Sequence, residues 1–364
     1  MNQTKLKVGI LGATGMVGQR FVTLLASHPW YEVVVLAASP SSAGKSYKEA
    51  VAGKWNMSLA VPQNVAEIKV MAVEEDLAKI AAQVDLVFCA LDMEKDDIIW
   101  IENAYAGAEV AVISNNSANR WTSDVPMIMP ELNGEHAKLI EIQRKKRGWK
   151  RGLIAVKPNC SIQSYASILT ALAEFGPTKV EVCSLQAISG AGKTFKTWPE
   201  MVDNVIPLIG GEEEKSEKEP MRIWGKIEGG AIKLATLPRI GATCIRVPVT
   251  NGHMASVGVN FTKKVTKEQI LAAITRFGNP LAKLELPTSP RGNLITYFEE
   301  ENRPQTGLDR DHEHGMGITM GRLRPGVNFD WQFIALSHNT IRGAAGGAVL
   351  MAEYLTKMGY VLAK

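Results

Sequence analysis

The chain has 364 residues, 46% of them hydrophobic and 21% charged, and its formal net charge at pH 7 is +4. This length exceeds the usual size of one domain, so two domains with a large core are expected. The small net charge argues against nucleic acid as a partner. The longest uncharged stretch, residues 158–173, is too short and too polar for a membrane span, which argues against a membrane as partner.

The cysteines and the amino terminus indicate a cytoplasmic protein. The four cysteines are widely separated and form no CxxC pair. Because Cys89, Cys183 and Cys244 fall in apolar, strand-like stretches, buried thiols are expected rather than disulfides or a zinc site. The first residues lead directly into a strand pattern and lack a signal-peptide pattern.

Strand and helix patterns alternate through the first 150 residues. Strand patterns occur at 6–11, 32–38, 85–90 and 109–114, and helical periodicity occurs between them at 17–26 and 75–82. This alternation predicts a Rossmann-type α/β domain with a doubly wound parallel sheet.

Beyond residue 179, longer alternating segments appear at 180–188, 243–250 and 254–262. They predict an α+β domain whose mixed or antiparallel sheet has one covered face. A capping box at 266–269 predicts a helix that ends near Phe277. The segment 340–358 is rich in Ala and Gly and predicts a helix that packs closely against another backbone.

Gly9, Gly12, Gly15 and Gly18 are spaced by three directly after the first strand pattern, where a helical pattern begins. Glycines in this position permit a tight turn and let backbone N–H groups approach a pyrophosphate. They predict a dinucleotide-binding site. The spacing GxxGxxG differs from the standard GxGxxG, so a tight turn without a ligand is the alternative.

The segment after the second strand pattern, residues 37–45, carries no Asp or Glu that would bind the ribose 2′-hydroxyl of NAD. Its serines and Lys45 are suited instead to a 2′-phosphate. NADP is therefore expected over NAD.

Cys160 lies where a strand pattern at 152–156 gives way to a helical pattern, after the break at Lys157 and Pro158. In the first turn of a helix, unpaired N–H groups and the positive dipole end favour a thiolate, the nucleophilic form of cysteine. The position predicts covalent catalysis. A small buried apolar residue is the alternative, since most free cysteines are of that kind.

Together these segments resemble the aspartate-β-semialdehyde dehydrogenase family, and most of all its archaeal and fungal branch. The resemblance covers nearly the whole chain. The similar motifs are GATGMVG at 12–18, SNNSANRW at 114–121, PNCS at 158–161, QAISGAG at 186–192, NVIPLIGGEEEK, IRVPVTNGH and the final NTIRGAAGGA.

The resemblance implies a role for each matching residue. Cys160 matches the nucleophile that forms an acyl-thioester, and His253 matches the acid/base, although a turn residue after Asn251 and Gly252 is the alternative for this histidine. Substrate contacts are implied at Asn159, Gln186, Glu212 and Arg246, and phosphate contacts at Arg120 and Lys215. Cofactor contacts are implied at Gly12, Thr14, Gly15, Met16, Val17, Ser39, Ser41, Ser42, Ser189, Gly190 and Asn339.

Two departures from the family pattern affect these expectations. Many relatives carry an arginine for the 2′-phosphate where Ser41 stands, so that contact passes to Ser39, Ser42 or Lys45. The run of three glutamates after Gly211 leaves Glu212 identified only by its spacing to Lys215.

The implied reaction is the NADPH-dependent reduction of β-aspartyl phosphate to aspartate semialdehyde and phosphate. This reaction belongs to the aspartate pathway toward threonine, methionine and lysine. The enzymatic alternatives are a malonyl-CoA reductase of the same fold and an N-acetyl-γ-glutamyl-phosphate reductase. A non-catalytic NADP-binding sensor is the alternative from another class of protein.

The expected organisation is an NADP-binding domain over residues 1–157 and a catalytic and dimerisation domain over 158–338. A C-terminal helix over 339–364 is expected to return to the first domain. The resemblance implies a homodimer or homotetramer. No metal site is expected, because His312 and His314 have no further ligand at a suitable spacing and are expected to lie in a solvated loop.

Overall fold

Residues 5–364, which the computed structural model describes, form two six-stranded sheets and a small two-stranded sheet. The expectations for residues 1–4 lie outside this range. The strands are β1 Leu6–Leu11, β2 Tyr31–Ala38, β3 Met71–Ala72, β4 Leu86–Cys89, β5 Ala111–Ser114, β6 Leu153–Val156, β7 Pro177–Gln186, β8 Lys226–Glu228, β9 Ala231–Lys233, β10 Arg239–Arg246, β11 His253–Phe261, β12 Ile295–Phe298, β13 Ile318–Pro325 and β14 Trp331–Ser337.

The helices of the described residues follow the same order along the chain. The α-helices are α1 Met16–Leu25, α2 Tyr47–Ala50, α3 Gln63–Ala66, α4 Leu77–Gln83, α5 Lys95–Gly107, α6 Pro130–Asn133, α7 Leu139–Arg147, α8 Gln163–Ala171, α9 Glu212–Ile223, α10 Lys267–Phe277, α11 Thr306–Asp309 and α12 Gly346–Lys357. Short 3₁₀ segments occur at Gly134–Lys138, Ala173–Phe175, Ile188–Ala191, Pro199–Met201, Ala282–Leu284 and His312–Gly315, and a π turn at Ile341–Ala345.

The first sheet is parallel throughout, with the strand order β3-β2-β1-β4-β5-β6. Alternate residues of its buried strands face opposite layers of helices. In β4, Phe88 packs in the layer that contains α1 and α12, and Val87 packs in the layer that contains α4 and α5. This is the doubly wound arrangement that the alternating sequence pattern predicts, and the prediction is confirmed.

The second sheet is mixed, with the strand order β10-β7-β11-β14-β13-β12. The pairs β7–β10 and β12–β13 are parallel, and β11 and β14 are antiparallel to their neighbours. Helices α8 and α10 pack against one face through Ile168 and Ile274, which join the same apolar cluster as Val182 and Val257. The opposite face carries exposed or half-buried side chains at Thr243, Cys183, Ser256 and Ile334, in register across four strands. Cys183 is therefore not a buried thiol, contrary to the prediction.

One strand boundary and one helix differ from the sequence patterns for identifiable reasons. Strand β5 begins at Ala111 because Glu109 has a positive φ of 62° and its carboxylate accepts the N–H groups of Arg151 and Gly152. Helix α5 was not among the predicted segments. Its buried face contains Glu102, which interrupts the apolar periodicity.

The C-terminal segment returns to the first sheet, where α12 packs against α1 and β5. No helix in the part of the chain that the structure describes is long and apolar enough to cross a membrane.

Candidate active site

The nucleophile segment, residues 157–161, follows the carboxyl end of β6. Both the N–H and the hydroxyl of Ser161 donate to Asn159 Oδ1 at 2.7 Å, so the chain makes a side-chain-stabilised turn before α8 begins at Gln163. Cys160 therefore precedes the helix, and its predicted place in the first helical turn is wrong.

The Cys160 thiol is partly exposed, but the surrounding protein is dense. Burial, and then the Glu212 carboxylate, raise the pKa of Cys160 to about 11 against the opposing charges of Lys157, Arg120 and Arg246. A thiol with this pKa is protonated near neutral pH, so the surroundings of Cys160 do not favour the thiolate that its position predicts.

Gln186, Arg246 and His253 meet at one edge of the second sheet. Gln186 and Arg246 are paired at the carboxyl ends of the parallel strands β7 and β10, and His253 opens the antiparallel neighbour β11. An antiparallel strand starts where its neighbour ends, so the three side chains share this edge. Arg246 Nη1 donates to the Ala187 carbonyl at 2.7 Å.

His253 is buried and neutral. Burial, and then the nearby Arg246 charge, lower the pKa of His253 to about 3. Its Nδ1 accepts the N–H of Ala187 at 3.1 Å, so the proton of the neutral ring is on Nε2. Nε2 has no hydrogen-bond partner among residues 5–364.

Gly190 lies against both of these side chains. A Cβ atom at this position would stand 2.9 Å from Arg246 Nη1 and 3.1 Å from His253 Nε2. Because such contacts are too close for a side chain to fit without displacement, only glycine allows the observed geometry.

Helix α9 contributes Glu212 and Lys215 to the same region. Glu212 Oε1 accepts from Lys215 Nζ at 2.7 Å and from Asn159 Nδ2 at 3.1 Å, while its Oε2 is buried without a partner in the described chain. Of the three consecutive glutamates, Glu213 accepts the N–H of Cys244 and Glu214 pairs with the exposed Lys218. The structure therefore brings Glu212 to the nucleophile segment.

Arg120 is buried beside this segment. Its Nη1 pairs with Glu219 Oε1 at 2.8 Å, and its Nε donates to the Lys157 carbonyl at 3.0 Å. Glu219 Oε2 accepts the N–H of Asn159 at 2.6 Å, so the ion pair holds the backbone on both sides of Pro158. The sequence patterns did not identify Glu219 as a site residue. Its position two helical turns after Glu212 indicates that it lies on the same face of α9.

The glycine-rich turn after β1 fits a pyrophosphate. Gly12 has a φ of +85°, and a Cβ there would lie 2.2 Å from the Ala90 carbonyl oxygen. No side chain caps the start of α1, so the N–H groups of Met16 and Val17 remain open to an anion. A cavity of about 280 Å³ adjoins the turn. Its lining includes the predicted residues Gly12, Thr14, Gly15 and Ser39.

The loop after β2 and two other strand ends meet at this cavity. Ser41 is exposed and its hydroxyl bonds to that of Ser39 at 3.0 Å, whereas Ser42 is buried. Lys45 Nζ donates to the Ser41 carbonyl at 2.9 Å. Carboxylates also reach the cavity, contrary to the expectation drawn from residues 37–45 alone. They come from the segments after β3 and β4, at Glu74, Glu75 and Asp92.

The remaining predicted cofactor residues lie beside His253. Asn339 Nδ2 donates to the Ser189 hydroxyl at 2.8 Å, and Asn339 Oδ1 accepts the N–H of Gly252 at 2.8 Å. Asn339 therefore ties the segment after β14 to the turns that carry Gly190 and His253.

The fold and the site define the protein as a semialdehyde dehydrogenase. Residues 7–140 match the family model "Semialdehyde dehydrogenase, NAD binding domain". Residues 169–342 match "Semialdehyde dehydrogenase, dimerisation domain".

Within that class, individual relatives define the family more narrowly. The chain is 42% identical to an aspartate-semialdehyde dehydrogenase of Archaeoglobus fulgidus, over 97% of this chain and 98% of the relative. It is 40% identical to that of Aspergillus fumigatus, over 98% and 99%. The structure of aspartate semialdehyde dehydrogenase with NADP from Candida albicans superposes with a TM-score of 0.87 at 33% identity, over 98% of this chain and 100% of that one. The chain belongs to the aspartate-semialdehyde dehydrogenase family, and these relatives favour that family over malonyl-CoA reductase.

Proposed function

We propose that the protein catalyses the NADPH-dependent reduction of β-aspartyl phosphate to aspartate semialdehyde and phosphate. The observation that carries the proposal is a set of buried polar atoms without partners around Cys160: Gln186 Nε2, Glu212 Oε2 and His253 Nε2. Buried polar groups in folded proteins are nearly always hydrogen-bonded. A polar ligand that satisfies all three atoms is therefore expected at this position.

The charges around these atoms suit an amino-acid acyl phosphate. Arg246 offers a planar fork for the α-carboxylate, and Glu212 Oε2 offers an acceptor for the α-ammonium group. Gln186 and Asn159 orient the carbonyl near the thiol. Lys215 is the first phosphate ligand.

Arg120 is proposed as the second phosphate ligand, through one nitrogen only. Its Nε and Nη1 are already bonded to the Lys157 carbonyl and to Glu219, and Nη2 makes no hydrogen bond within the described chain. A contact between Nη2 and a phosphate oxygen would leave the support of the nucleophile segment intact.

The chemistry follows from Cys160 and His253. The Cys160 thiolate attacks the acyl carbonyl and phosphate leaves, which forms a thioester. NADPH, when bound, supplies the hydride. The carbonyl oxygen gains negative charge in both steps, and the His253 Nε2–H, which has no partner within residues 5–364, is available to it as a donor. A base role for His253 toward the thiol would need an unprotonated Nε2, and the hydrogen bond from Ala187 to Nδ1 opposes that tautomer.

The cofactor proposal is NADP, held at its pyrophosphate by the start of α1 and at its 2′-phosphate by the exposed Ser39 and Lys45. Ser42 is buried and is not proposed as a contact. The NADP named with the Candida albicans relative supports it. Glu74 and Glu75 oppose it, because carboxylates at the same cavity repel a phosphate. We expect a higher kcat/KM with NADPH than with NADH, and a smaller ratio for Lys45→Ala. A preference for NADH would assign the cavity to NAD.

We also infer the organisation of the chain. Along the chain, the last strand of the first sheet, β6, ends at Val156, and the first strand of the second sheet, β7, begins at Pro177. This order supports a division into residues 1–157, 158–338 and 339–364. A homodimer is supported by the dimerisation-domain match and by the open face of the second sheet. We also propose that two such dimers form a tetramer. The protein is proposed to act in the cytoplasm, in the aspartate pathway.

The deciding experiment is the reverse reaction. Purified protein with aspartate semialdehyde should reduce NADP only when phosphate is present, and Cys160→Ser should abolish this activity. Reduction without phosphate, or reaction with malonyl-CoA instead, would overturn the proposal. Lys215→Ala should mainly raise KM for phosphate, and Arg246→Lys should mainly raise KM for the semialdehyde. Arg120→Ala should also lower kcat, because Glu219 and the nucleophile segment lose their buried partner.

A further inference from the structure

One face of helix α9 contacts the nucleophile segment at several points. Glu212, Ser216 and Glu219 follow each other at intervals of one helical turn and are buried on this face. The hydroxyl of Ser216 bonds to that of Ser161 at 3.0 Å, while Glu212 accepts from the side chain of Asn159 and Glu219 accepts from its backbone N–H. The helix therefore holds the chain on both sides of the nucleophile.

Pro220 explains how this part of α9 is itself held in place. A proline has no backbone N–H, so Pro220 leaves the carbonyl of Ser216 without its helical partner. The buried hydroxyl of Tyr165 in α8 donates to this carbonyl at 2.6 Å. Helices α8 and α9 are thus joined next to the segment that carries the nucleophile.

Glu219 connects two parts of the proposed site. Its Oε1 accepts from Arg120 Nη1 at 2.8 Å, and its Oε2 accepts the N–H of Asn159 at 2.6 Å. Glu219 is 0% exposed and Arg120 is 7% exposed, so both contacts are shielded from solvent. The carboxylate therefore ties the arginine that is proposed to bind phosphate to the backbone that precedes the nucleophile.

The two contacts place strict demands on the side chain at position 219. Both partners are donors, and a carboxylate offers an acceptor oxygen to each of them. A glutamine of the same length offers only one acceptor oxygen, so one buried donor would lose its partner. An aspartate keeps both acceptors and the charge but is one methylene shorter. The position thus needs both the acceptors and the length of a glutamate.

We propose that Glu219 is a positioning residue, which holds Arg120 and the nucleophile segment at the separation that an acyl phosphate requires. The acyl carbon must meet the Cys160 thiol while the phosphoryl group meets Arg120, and a single oxygen atom joins these two parts of the substrate. A change in the separation of the two protein groups therefore lowers the rate of the acyl transfer. This role rests on the proposed function, in that Cys160 is the nucleophile and Arg120 binds phosphate.

The test compares Glu219→Asp and Glu219→Gln with the unmodified protein in the reverse reaction, with phosphate and semialdehyde each varied. Glu219→Asp should lower kcat about tenfold or more and raise KM for phosphate, because misplacement of about 1 Å can lower a rate by about a hundredfold. KM for the semialdehyde should stay unchanged, since Arg246, the proposed ligand of its carboxylate, bonds to the Ala187 carbonyl instead. Glu219→Gln should also lower kcat, because one buried donor loses its acceptor.

Glu213→Gln is the matched control on the same helix. The Glu213 carboxylate accepts one N–H group, that of Cys244, and a glutamine can still accept it, so kcat and both Michaelis constants should stay unchanged. A Glu219→Asp protein with unaltered kcat and unaltered KM for phosphate would overturn the proposal. A rise of both Michaelis constants by the same factor would also overturn it, since that result indicates a general loss of order in the site.

Thermal unfolding separates positioning from stability. If Glu219 only stabilises the fold, its variants should unfold at lower temperature and keep the kinetic constants of the unmodified protein wherever they are folded. Should Glu219→Gln not fold, Glu219→Asp decides the question, because it keeps a charge beside Arg120. Absence of phosphate-dependent NADP reduction in the unmodified protein would contradict the proposed function itself, whereas an active unmodified protein with an equally active Glu219→Asp variant would remove only the positioning role.

Discussion

Gly190 shows how tightly single residues determine the site. Its missing side chain leaves room for Arg246 Nη1 and His253 Nε2, which would stand 2.9 and 3.1 Å from a Cβ atom. Gly190→Ala should shift Arg246 or His253 by a few tenths of an ångström and lower kcat/KM for the semialdehyde, by less than the roughly hundredfold effect of a misplacement of about 1 Å.

Gly307→Ala in α11 is the matched control, since a Cβ there meets no atom within 4 Å. Steady-state kinetics of both variants, together with their thermal unfolding, check the prediction. Equal kinetics for the two proteins would show that the close approach at Gly190 is unimportant.

His253 makes stability depend on pH. Its pKa falls from the ordinary 6.5 to about 3 in the folded protein, so the unfolded chain binds a proton more readily. The stability that neutral His253 contributes is complete above pH 6.5 and is lost as the pH falls from about 6.5 toward 3. Between these pH values, the free energy of unfolding should therefore fall less for the His253→Gln protein than for the unmodified protein.

Urea unfolding at several pH values measures this difference. His338, whose pKa burial lowers to about 4, stays in both proteins and titrates in the same direction, so some acid sensitivity should remain in the variant. Parallel pH profiles for the two proteins would contradict the prediction.

Among the elements, α9 protects the edge of the second sheet. Strand β10 is an edge strand, and its outward N–H groups at Ala242 and Cys244 donate to Glu217 and Glu213, each at 3.2 Å. Glu213→Ala and Glu217→Ala should each lower the free energy of unfolding by about 1–2 kcal/mol, because a hydrogen bond to a charged group is lost at a partly buried position.

The control for this pair lies on the same helix. Glu214 is exposed and pairs only with Lys218, so Glu214→Ala should leave stability unchanged within error. Chemical denaturation of the three variants gives the comparison. A loss for Glu214→Ala as large as the others would show that helix charge, rather than edge capping, is responsible.

For the whole molecule, the open face of the second sheet is the expected dimer surface. Ser256 is exposed at the middle of this face, between Cys183 and Ile334 of the neighbouring strands. Ser256→Arg should leave the stability of an isolated chain unchanged, because the side chain is exposed there. It should prevent close packing of two sheets, so the mass in solution should fall to that of one chain.

Analytical ultracentrifugation of Ser256→Arg and of Lys145→Glu, a control at an exposed position of α7, checks this expectation. A dimer that survives Ser256→Arg with unaltered affinity would move the interface to another face of the molecule.

The amino-acid sequence alone predicts the doubly wound first sheet, the dinucleotide turn and the place of Cys160 between a strand and a helix. These features depend on local order: apolar alternation, glycines at fixed spacing and a break at Pro158 are visible along the chain. Helix α5 was missed because the polar Glu102 on its buried face finds its partners, Ser114 and Asn119, only in the folded protein.

The electrostatics of the site depend on contacts between segments that are distant in the sequence. The choice of Glu212 among three glutamates depends on which one reaches Asn159, and the protonated state of Cys160 depends on burial. Glu219 lies beside the nucleophile segment because α9 packs there. Burial, charge pairing and the tautomer of an imidazole arise from neighbours distant in sequence, so no local pattern along the chain can encode them.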